Sequence, residues 1–298
     1  TLNIGPGSPT GCTFGYGAKF PSRYQDALYA ADWTFGRIYA VHLRPEGSAY
    51  RGESEVFISG VPLPVVDLVG HPVDGALYFI TGGWRIPTGL YRVTWNGSKE
   101  DEVSPGAPCG SDPHAPRRQL ESFHGRRDPT AVEIVWPHLG SKDRFLAFAA
   151  RVALEWQDPT TWRERALAES EAATALAALT ALIRVSAKDE FHRKPTDAVP
   201  DSSLQARVLA ALERFDWSAL SREDRLGLLR NFTLCFTRLG SPGEPARARM
   251  FARVERWFPT TDRALNSELC QLLVYLQSPR VAAVALDLVR TAPTQEEQ

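Results

Sequence analysis

Apolar and polar residues alternate in short runs over the first hundred positions, which is the period of β-strands. The stretch "DALYAADWTFGRIYAVHL" predicts one strand at residues 27–32 and a second at 37–43, joined by a turn at 34–36. Gly36 suits this turn because glycine readily takes a positive φ. Similar runs predict further strands at residues 11–17, 54–60 and 64–71. This half of the chain is therefore predicted to consist of antiparallel hairpins.

The hairpin has a second copy further along the chain, in "GALYFITGGWRIPTGLYRVTW". Leu28-Tyr29 aligns with Leu77-Tyr78, and Tyr39 aligns with Tyr91. A repeat of about 50 residues made of short strands is typical of a β-propeller blade. Propellers need roughly four to eight blades, so two blades alone would leave a sheet edge and an apolar face uncovered. We therefore expect this chain to be part of a longer protein.

Apolar positions take helical spacing from about residue 116 onward. Helix pairs are predicted to begin near residues 141, 171, 221 and 262, with a polar insertion at 186–201. Ser141 and Ser221 are predicted N-caps, the second within a capping box that includes Asp224. This irregular spacing of about 30 to 50 residues predicts a HEAT-like α-solenoid. A helical bundle without repeats is the alternative.

Two prolines help to place the last helices. Pro245 suits the first turn of a helix that reaches Phe258, and Ser278-Pro279 is predicted to cap and begin one more. The segment 97–116 is polar and rich in Gly and Pro, as in a linker. The predicted fold class is thus multidomain β + α. Two terminal propeller blades occupy 1–100, a linker 101–115 and a HEAT-like helical repeat domain 116–298.

Composition narrows the classes of partner. The formal net charge is −1, from 34 basic and 35 acidic side chains, which argues against a nucleic-acid binder. No apolar run is long enough to span a bilayer, and "TLNIGPGSPTGC" lacks the basic and apolar regions of a signal peptide. The four cysteines form no CxxC pattern, so the chain itself shows no zinc cluster or haem attachment site. Cys235 and Cys270 are predicted to be small buried apolar side chains. Cys12 and Cys109 lie in loop or strand regions, and no role is predicted for them.

Three motifs carry a family resemblance. Pro9-Thr10-Gly11, Phe20-Pro21, and Asp67-Leu68 followed by "DGALY" resemble the last blades of the soluble glucose/sorbosone dehydrogenase propeller. The whole chain is similar to large planctomycete-type proteins in which such a propeller precedes HEAT-like helices and a CxxCH cytochrome c domain. The helical segments "WPHLGSKDRFLAFAARVALE" and "LNSELCQLLVYLQSP" belong to this resemblance.

The resemblance implies an exported, periplasmic parent protein related to quinone- or haem-linked sugar or alcohol dehydrogenases. Haem c, and pyrroloquinoline quinone with calcium, would belong to that parent, and this chain alone is predicted to catalyse nothing. The implied partners are neighbouring blades and the cytochrome c domain of the same polypeptide, with a protein partner on the solenoid. The alternatives are a non-catalytic scaffold that binds protein or carbohydrate, and a rigid spacer.

One departure from the family bears on the quinone. Where the family carries the arginines of "RIRDV", which contact the quinone, this chain has Pro64-Val65-Val66-Asp67. The carboxylates of a buried quinone need cationic or N–H partners. Apolar residues in place of both arginines argue against quinone binding in this part of the ring.

Four residues are candidates for a pocket near the central channel. Asp32 and Asp67 lie where inner strands are predicted to meet loops, and they either line the pocket or accept backbone N–H groups at turns. The turn interpretation is favoured. Arg37 and Arg85 follow the two hairpin turns and could face an anion, although surface arginines are usually solvated.

The remaining polar and aromatic candidates have structural interpretations. Trp33 and Trp84 are predicted to pack between blades, with each indole N–H donating to a carbonyl. Asp74-Gly75 is predicted to form a hairpin turn. The six histidines show no HxH or HxxxH spacing, so no metal site is assigned.

Overall fold

The computed structural model describes residues 2–83, 85–97, 112–197 and 199–294. The chain divides into two compact units, a β unit of residues 1–115 and a helical unit of residues 116–298. Most of the predicted linker at 101–115 lies outside the described residues, as do Trp84 and Cys109. The mixed β and α content that the sequence predicts is confirmed.

Seven strands of the β unit form two antiparallel sheets. The first sheet has the order β1-β2-β3-β4 and the second β5-β6-β7. The strands are β1 (Pro9–Phe14), β2 (Leu28–Asp32), β3 (Arg37–Glu46), β4 (Ala49–Ser59), β5 (Val65–Gly70), β6 (Leu77–Gly83) and β7 (Ile86–Val93). The predicted opening hairpin is confirmed as β2 and β3, and Gly36 has a φ of 60° at its turn. A short helix, α1 (Ser22–Gln25), lies between β1 and β2.

The two sheets repeat the same strand register. The paired positions are Leu28–Val41, Tyr29–Ala40, Ala30–Tyr39 and Ala31–Ile38 in the first sheet, and Leu77–Val93, Tyr78–Arg92, Phe79–Tyr91 and Ile80–Leu90 in the second. The register of the first strand also shifts at matching places, between Pro9 and Cys12 and between Val65 and Asp67. The predicted internal repeat therefore holds at the level of individual residue pairs.

The sheets pack through opposite faces of this repeat. One shared core contains Tyr29, Ala31 and Ile38 of the first sheet together with Leu77 and Phe79 of the second. By the repeat, Tyr29, Ala31 and Ile38 correspond to Tyr78, Ile80 and Leu90 of the second sheet. These three lie on the face of the second sheet that is opposite to Leu77 and Phe79. Since side chains alternate between faces along a strand, the sheets pack front to back rather than front to front.

The helical unit contains ten helices within its described residues, the first of which begins at the boundary with the β unit. They are α2 (Ala115–Glu121), α3 (Ala131–Val135), α4 (Arg144–Glu155), α5 (Arg163–Ala168), α6 (Ala172–Ser186), α7 (Ser202–Glu213), α8 (Arg222–Leu239), α9 (Glu244–Val254), α10 (Arg263–Tyr275) and α11 (Val281–Thr291). One-turn 3₁₀ helices lie at Trp136–His138, Pro159–Thr161, Trp217–Ala219 and Glu255–Trp257. No helix within the described ranges has both the length and the apolar content to cross a membrane.

Alternate helices lie side by side. The helix α6 contacts both α4 and α8, and α10 contacts α8, which places these four in one row. The helices between them contact this row: α5 contacts α6, α7 contacts α8 and α9 contacts α10. Two of these intervening helices, α5 and α7, also contact each other. A continuous core fills the space between the helices, with Trp162, Leu179 and Phe232 fully buried.

Helix capping confirms one prediction and corrects two. Ser221 accepts the N–H of Asp224, which confirms Ser221 as the N-cap of α8, and its hydroxyl donates to the Asp224 carboxylate. In a capping box that carboxylate would instead accept the backbone N–H of the N-cap residue. The helix α4, however, is capped by Asp143, while Ser141 accepts the N–H of Asp143 one step earlier. The prediction of Ser141 was therefore wrong by two residues.

The second correction concerns the last helix. The N-cap of α11 is Arg280. The prediction that Ser278 caps this helix and that Pro279 lies in its first turn was therefore wrong. Ser278 instead accepts the N–H of Arg280 and donates to Glu255. The helix predicted to reach Phe258 ends earlier as an α-helix and continues as the 3₁₀ turn Glu255–Trp257.

The cysteine predictions hold to different degrees. Cys235 is fully buried, and burial raises the pKa of its thiol to about 12. Cys270 is only half-buried at the edge of the same core. Cys12, which the sequence left open, is an exposed free thiol on β1.

Candidate functional site

The first candidate, Asp32, ends β2 and is almost fully buried, at 3% exposure. Its Oδ1 accepts the backbone N–H of Ser8 at 2.9 Å and that of Thr34 at 3.1 Å. The carboxylate therefore joins the N-terminal segment to the β2–β3 turn. This confirms the favoured interpretation of Asp32 as an acceptor of backbone N–H groups.

The second oxygen of Asp32 has a different environment. Oδ2 is buried and has no hydrogen-bond partner among the described residues. A cavity of about 110 Å³ lies beside this residue, lined also by Ile4, Pro6, Pro9 and Tyr39. This volume is well below the 300 to 1,000 Å³ typical of small-molecule sites. The Asp32 cavity is therefore too small to hold a sugar.

The second candidate, Asp67, lies on β5 beside β1. It is exposed, and its Oδ1 accepts the N–H of Leu68 at 2.8 Å. A Cβ atom added to Gly11 would lie 2.8 Å from the Asp67 Cα, so β1 and β5 approach each other at this point. The Thr10 hydroxyl donates to the Val65 carbonyl at 2.8 Å next to it. The proline–small–glycine motif thus has a physical role, because it brings the first strands of the two sheets together.

Trp33 forms a second link between the sheets. Its indole N–H donates to the Gly82 carbonyl at 2.8 Å, as predicted. The carbonyl belongs to β6, so this bond places the β2–β3 turn beside the β6–β7 turn. Trp84, which was expected to play the same role, lies outside the described residues.

The two arginine candidates are exposed and do not form a site with the aspartates. Arg37 stands opposite Asp32 in the strand register of β2 and β3. Its guanidinium lies 5.7 Å from the centre of the Phe35 ring and donates to the Tyr39 hydroxyl at 3.3 Å. Arg85 is exposed at the β6–β7 turn with a φ of 64°. Within the described part of the chain, no hydrogen bond or ion pair joins Arg85 or Asp67 to the other two candidates.

The residues present do not fit a quinone. Pro64 is buried and Val66 is 39% exposed, and neither offers a cation or a side-chain N–H to a carboxylate. Of the two candidate arginines, Arg37 belongs to the other sheet and lies against Phe35 and Tyr39, and Arg85 is exposed at the β6–β7 turn. Among the described residues, no group of three His, Cys, Asp or Glu side chains could hold a metal ion.

The polar group around Asp74 stabilises a turn. The Gly75 N–H donates to the backbone carbonyl of His71 at the predicted turn. The Asp74 carboxylate accepts from the Ala76 N–H, the Tyr78 hydroxyl and Arg92 Nε. The Ala76 N–H, followed by Tyr78 and Arg92, lowers the pKa of the Asp74 carboxyl to about 2. The group therefore joins the β5–β6 turn to β7.

Replacing this carboxylate gives a pH-dependent prediction. Asp74→Asn should lower the midpoint temperature of the β unit at pH 7, because Tyr78 and Arg92 would lose a charged acceptor. A carboxyl with a lowered folded pKa stabilises the fold above its unfolded pKa of about 3.9. The difference between wild type and variant should therefore shrink as the pH falls from about 4 to about 2.

Circular dichroism melts at several pH values would measure this difference. The control is Glu53→Gln on β4. Among the described residues, the Glu53 carboxylate forms one ion pair, with exposed Arg44 at 3.4 Å. We expect the control to melt close to wild type throughout, since exposed ion pairs contribute little. A gap between wild type and Asp74→Asn that persists unchanged at pH 2 would contradict the assigned role.

Comparison with known proteins adds no relative. No protein-family model, curated protein or solved structure matches the chain. The family resemblance therefore depends on the quoted motif residues alone.

A larger cleft, which the sequence did not indicate, lies in the helical unit. It has a volume of about 520 Å³ and lies between the end of α7 and the helix α9. Its lining residues are Glu213, Arg214, Phe215, Asp216, Trp217, Arg249, Arg253, Arg256 and Trp257. Trp217 follows closely after α7, but Arg249, Arg253, Arg256 and Trp257 come from α9 and its 3₁₀ extension, far along the chain. No local sequence motif therefore predicts the cleft.

Proposed function

We propose that the β unit forms two consecutive blades of a β-propeller and that the helical unit is an α-solenoid. In this proposal the chain supplies closing blades and a helical connector within a larger redox protein. The observation that carries it is the front-to-back packing of two sheets with one repeated register. An interface between non-equivalent faces can be repeated, and it closes into a ring when the rotation between units permits.

The free face of the second sheet supports this arrangement. Val69, Ile80 and Leu90 are 57%, 40% and 71% exposed. Ile80 and Leu90 are the repeat equivalents of Ala31 and Ile38, which are buried between the sheets. Sheets with apolar residues on both faces are typical of propeller blades, because each blade is covered on both faces.

The row of alternate helices supports the solenoid. In a solenoid each helix pair contacts only its neighbours, so successive second helices lie in one row. The contacts of α4 with α6, α6 with α8 and α8 with α10 follow this order. The polar insertion at 186–201 then lies between consecutive pairs, as loops do in such repeats.

For the parent protein we propose an exported sugar or alcohol dehydrogenase-like function that passes electrons to a cytochrome c domain. Haem c, and any quinone with calcium, would be held by segments other than the residues described here. The motif residues Pro9, Gly11, Pro21 and Asp67 support this part of the proposal through the family resemblance. A periplasmic location belongs to the same proposal.

A scaffold without catalytic activity is the second candidate. It is favoured by Pro64 and Val66, which stand where the family has quinone-contacting arginines and offer no charge. A scaffold would use its broad propeller and solenoid surfaces to bind protein or carbohydrate.

Thiol labelling would test the propeller proposal. Leu90→Cys, in a background with Cys12, Cys109 and half-buried Cys270 replaced by serine, should react readily in the 298-residue chain because position 90 is exposed. In the complete native polypeptide, a neighbouring blade should slow labelling at least about tenfold. Val73→Cys, at an 83% exposed turn position, is the control and should react equally in both. Equal rates at position 90 in both proteins would rule out a covering blade.

A separate assay distinguishes the two functions. The native polypeptide should stain for covalent haem and should reduce an artificial electron acceptor in the presence of a sugar or alcohol. If it does neither while position 90 is protected, the propeller proposal survives and the scaffold is the better function.

A further inference from the structure

The cleft between α7 and α9 is rich in arginine. Arg249, Arg253 and Arg256 are spaced four and three residues apart, which places them on one face of α9 and its 3₁₀ extension. Like charges at this spacing repel one another and destabilise a helix. Arg214 lines the cleft from the end of α7, and its guanidinium donates to the carbonyls of Ala211 and Glu169.

The acidic groups of the cleft do not balance these charges. Glu213 Oε1 lies 3.9 Å from Arg249 Nε and has no hydrogen-bond partner in the part of the chain that the structure describes. Asp216 accepts from the Ser218 N–H at 3.1 Å and the Ser218 hydroxyl at 2.7 Å, so it serves as a helix cap. Four arginines and two carboxylates leave an excess of two positive charges around the cleft.

Stacked aromatic rings hold one arginine in place. Trp217 and Trp257 stack with centroids 4.2 Å apart, Arg253 lies 5.5 Å from the Trp257 ring and Arg225 lies 5.3 Å from the Trp217 ring. Arg253 also donates to the Phe215 carbonyl just after α7. Its Nε is buried and finds no hydrogen-bond partner among the residues that the structure describes. A guanidinium fixed in this way loses little entropy when it binds an anion.

The flanking arginines are more available. The Arg249 side chain is 61% exposed and Arg256 is also exposed, and Arg256 Nε donates only to the Ala252 carbonyl of its own helix. Each guanidinium has five N–H donors arranged to match carboxylate and phosphate oxygens. A volume of about 520 Å³ lies in the range of small-molecule sites.

We propose that this cleft binds a small molecule that carries two or more oxyanion groups. The oxyanions would bind Arg249, Arg253 and Arg256, while Trp217 and Trp257 form the rigid wall. Phosphoryl and carboxylate ligands share this chemistry, so pyrophosphate and citrate are the probes that distinguish them. The inference is independent of the propeller proposal, because every residue it uses lies in the helical unit.

Isothermal titration calorimetry of the whole chain with each probe would test the site. We expect saturable one-to-one binding of at least one probe, and binding of only one would identify the oxyanion type. Arg249→Gln and Arg256→Gln should each weaken this binding about tenfold or more, since a hydrogen bond to a charged group is lost. Both side chains are exposed, so these variants should fold.

Arg247→Gln is the matched control. Arg247 belongs to the same helix and carries the same charge, but it contacts Gln277 and Glu244 away from the cleft. Its removal should leave probe affinity within about twofold of wild type, because exposed charges at a distance are screened. The proposal is overturned if neither probe binds at millimolar concentration, or if all three variants weaken binding equally.

Discussion

Asn231→Asp is expected to cost the helical unit at least about 3 kcal/mol of its free energy of unfolding at neutral pH. Asn231 is fully buried, and its side-chain N–H₂ donates to the carbonyls of Leu176 on α6 at 3.1 Å and Gly227 at 2.9 Å. A carboxylate would place a charged oxygen against two carbonyl oxygens. Of the described residues, the Thr180 hydroxyl, 3.3 Å from Oδ1, is the one side-chain donor hydrogen-bonded to Asn231.

The pH dependence identifies the buried charge as the cause. Burial would raise the pKa of the new carboxyl above its unfolded value of about 3.9, so the folded variant would bind a proton more tightly than the unfolded chain. The stability gap to wild type should therefore be largest at neutral pH and shrink as the pH falls toward about 4. Urea unfolding at a series of pH values measures this gap.

Asn231→Leu is the matched control for volume. It removes the two hydrogen bonds that Asn231 donates and the one that it accepts from Thr180, without burying a charge. The two carbonyls keep their helical partners and the Thr180 hydroxyl keeps the Leu176 carbonyl, so no buried polar group loses its last partner. The leucine variant should therefore lose much less stability than the aspartate variant. If the leucine variant were as unstable as the aspartate variant at pH 7, lost packing rather than buried charge would be the cause.

Strand and helix positions were largely readable from the sequence, because local chemistry specifies them. The alternation from residue 27 to 43 and the glycine at 36 determine the first hairpin, and the Leu-Tyr pairs locate its repeat. The helix ends were harder to predict. Ser141 and Asp143 can both accept backbone N–H groups at a helix start, and the sequence does not show which of them the chain uses.

The sites were less predictable, because they depend on contacts between distant residues. The role of Asp32 as a backbone acceptor follows from the general behaviour of aspartate at turns, and it was predicted. The stacking of Trp217 on Trp257 is different, since it joins residues on either side of α8 and α9. Nothing in the local sequence around either tryptophan indicates the other.

Which face of each sheet packs on its neighbour was also hidden. The sequence of β6 shows apolar residues on both faces of this strand, but it does not show which face packs on the first sheet. Contacts such as that between Gly11 and Asp67 decide this, and they are visible only in the folded chain. The role of Gly11 can be tested directly.

Gly11→Ala is expected to destabilise the β unit by about 1 to 3 kcal/mol. The added Cβ would clash with Asp67 Oδ1 and would lie 2.8 Å from the Asp67 Cα. The carboxylate can move, but the backbone of β5 cannot do so without separating the two sheets. We expect that separation to weaken the bond from the Thr10 hydroxyl to the Val65 carbonyl. The front-to-back interface should therefore open first next to this position.

Chemical unfolding together with hydrogen exchange of the β1 and β5 amides would measure the effect. Gly70→Ala is the matched control, because Gly70 ends β5 and its nearest neighbour, the Phe14 carbonyl oxygen, would lie 3.9 Å from the new Cβ. The control should stay close to wild type, since this distance is an ordinary van der Waals contact. Equal stability of the two variants would mean that the sheets do not depend on the close approach at Gly11, and the packing that supports the propeller proposal would lose its main contact.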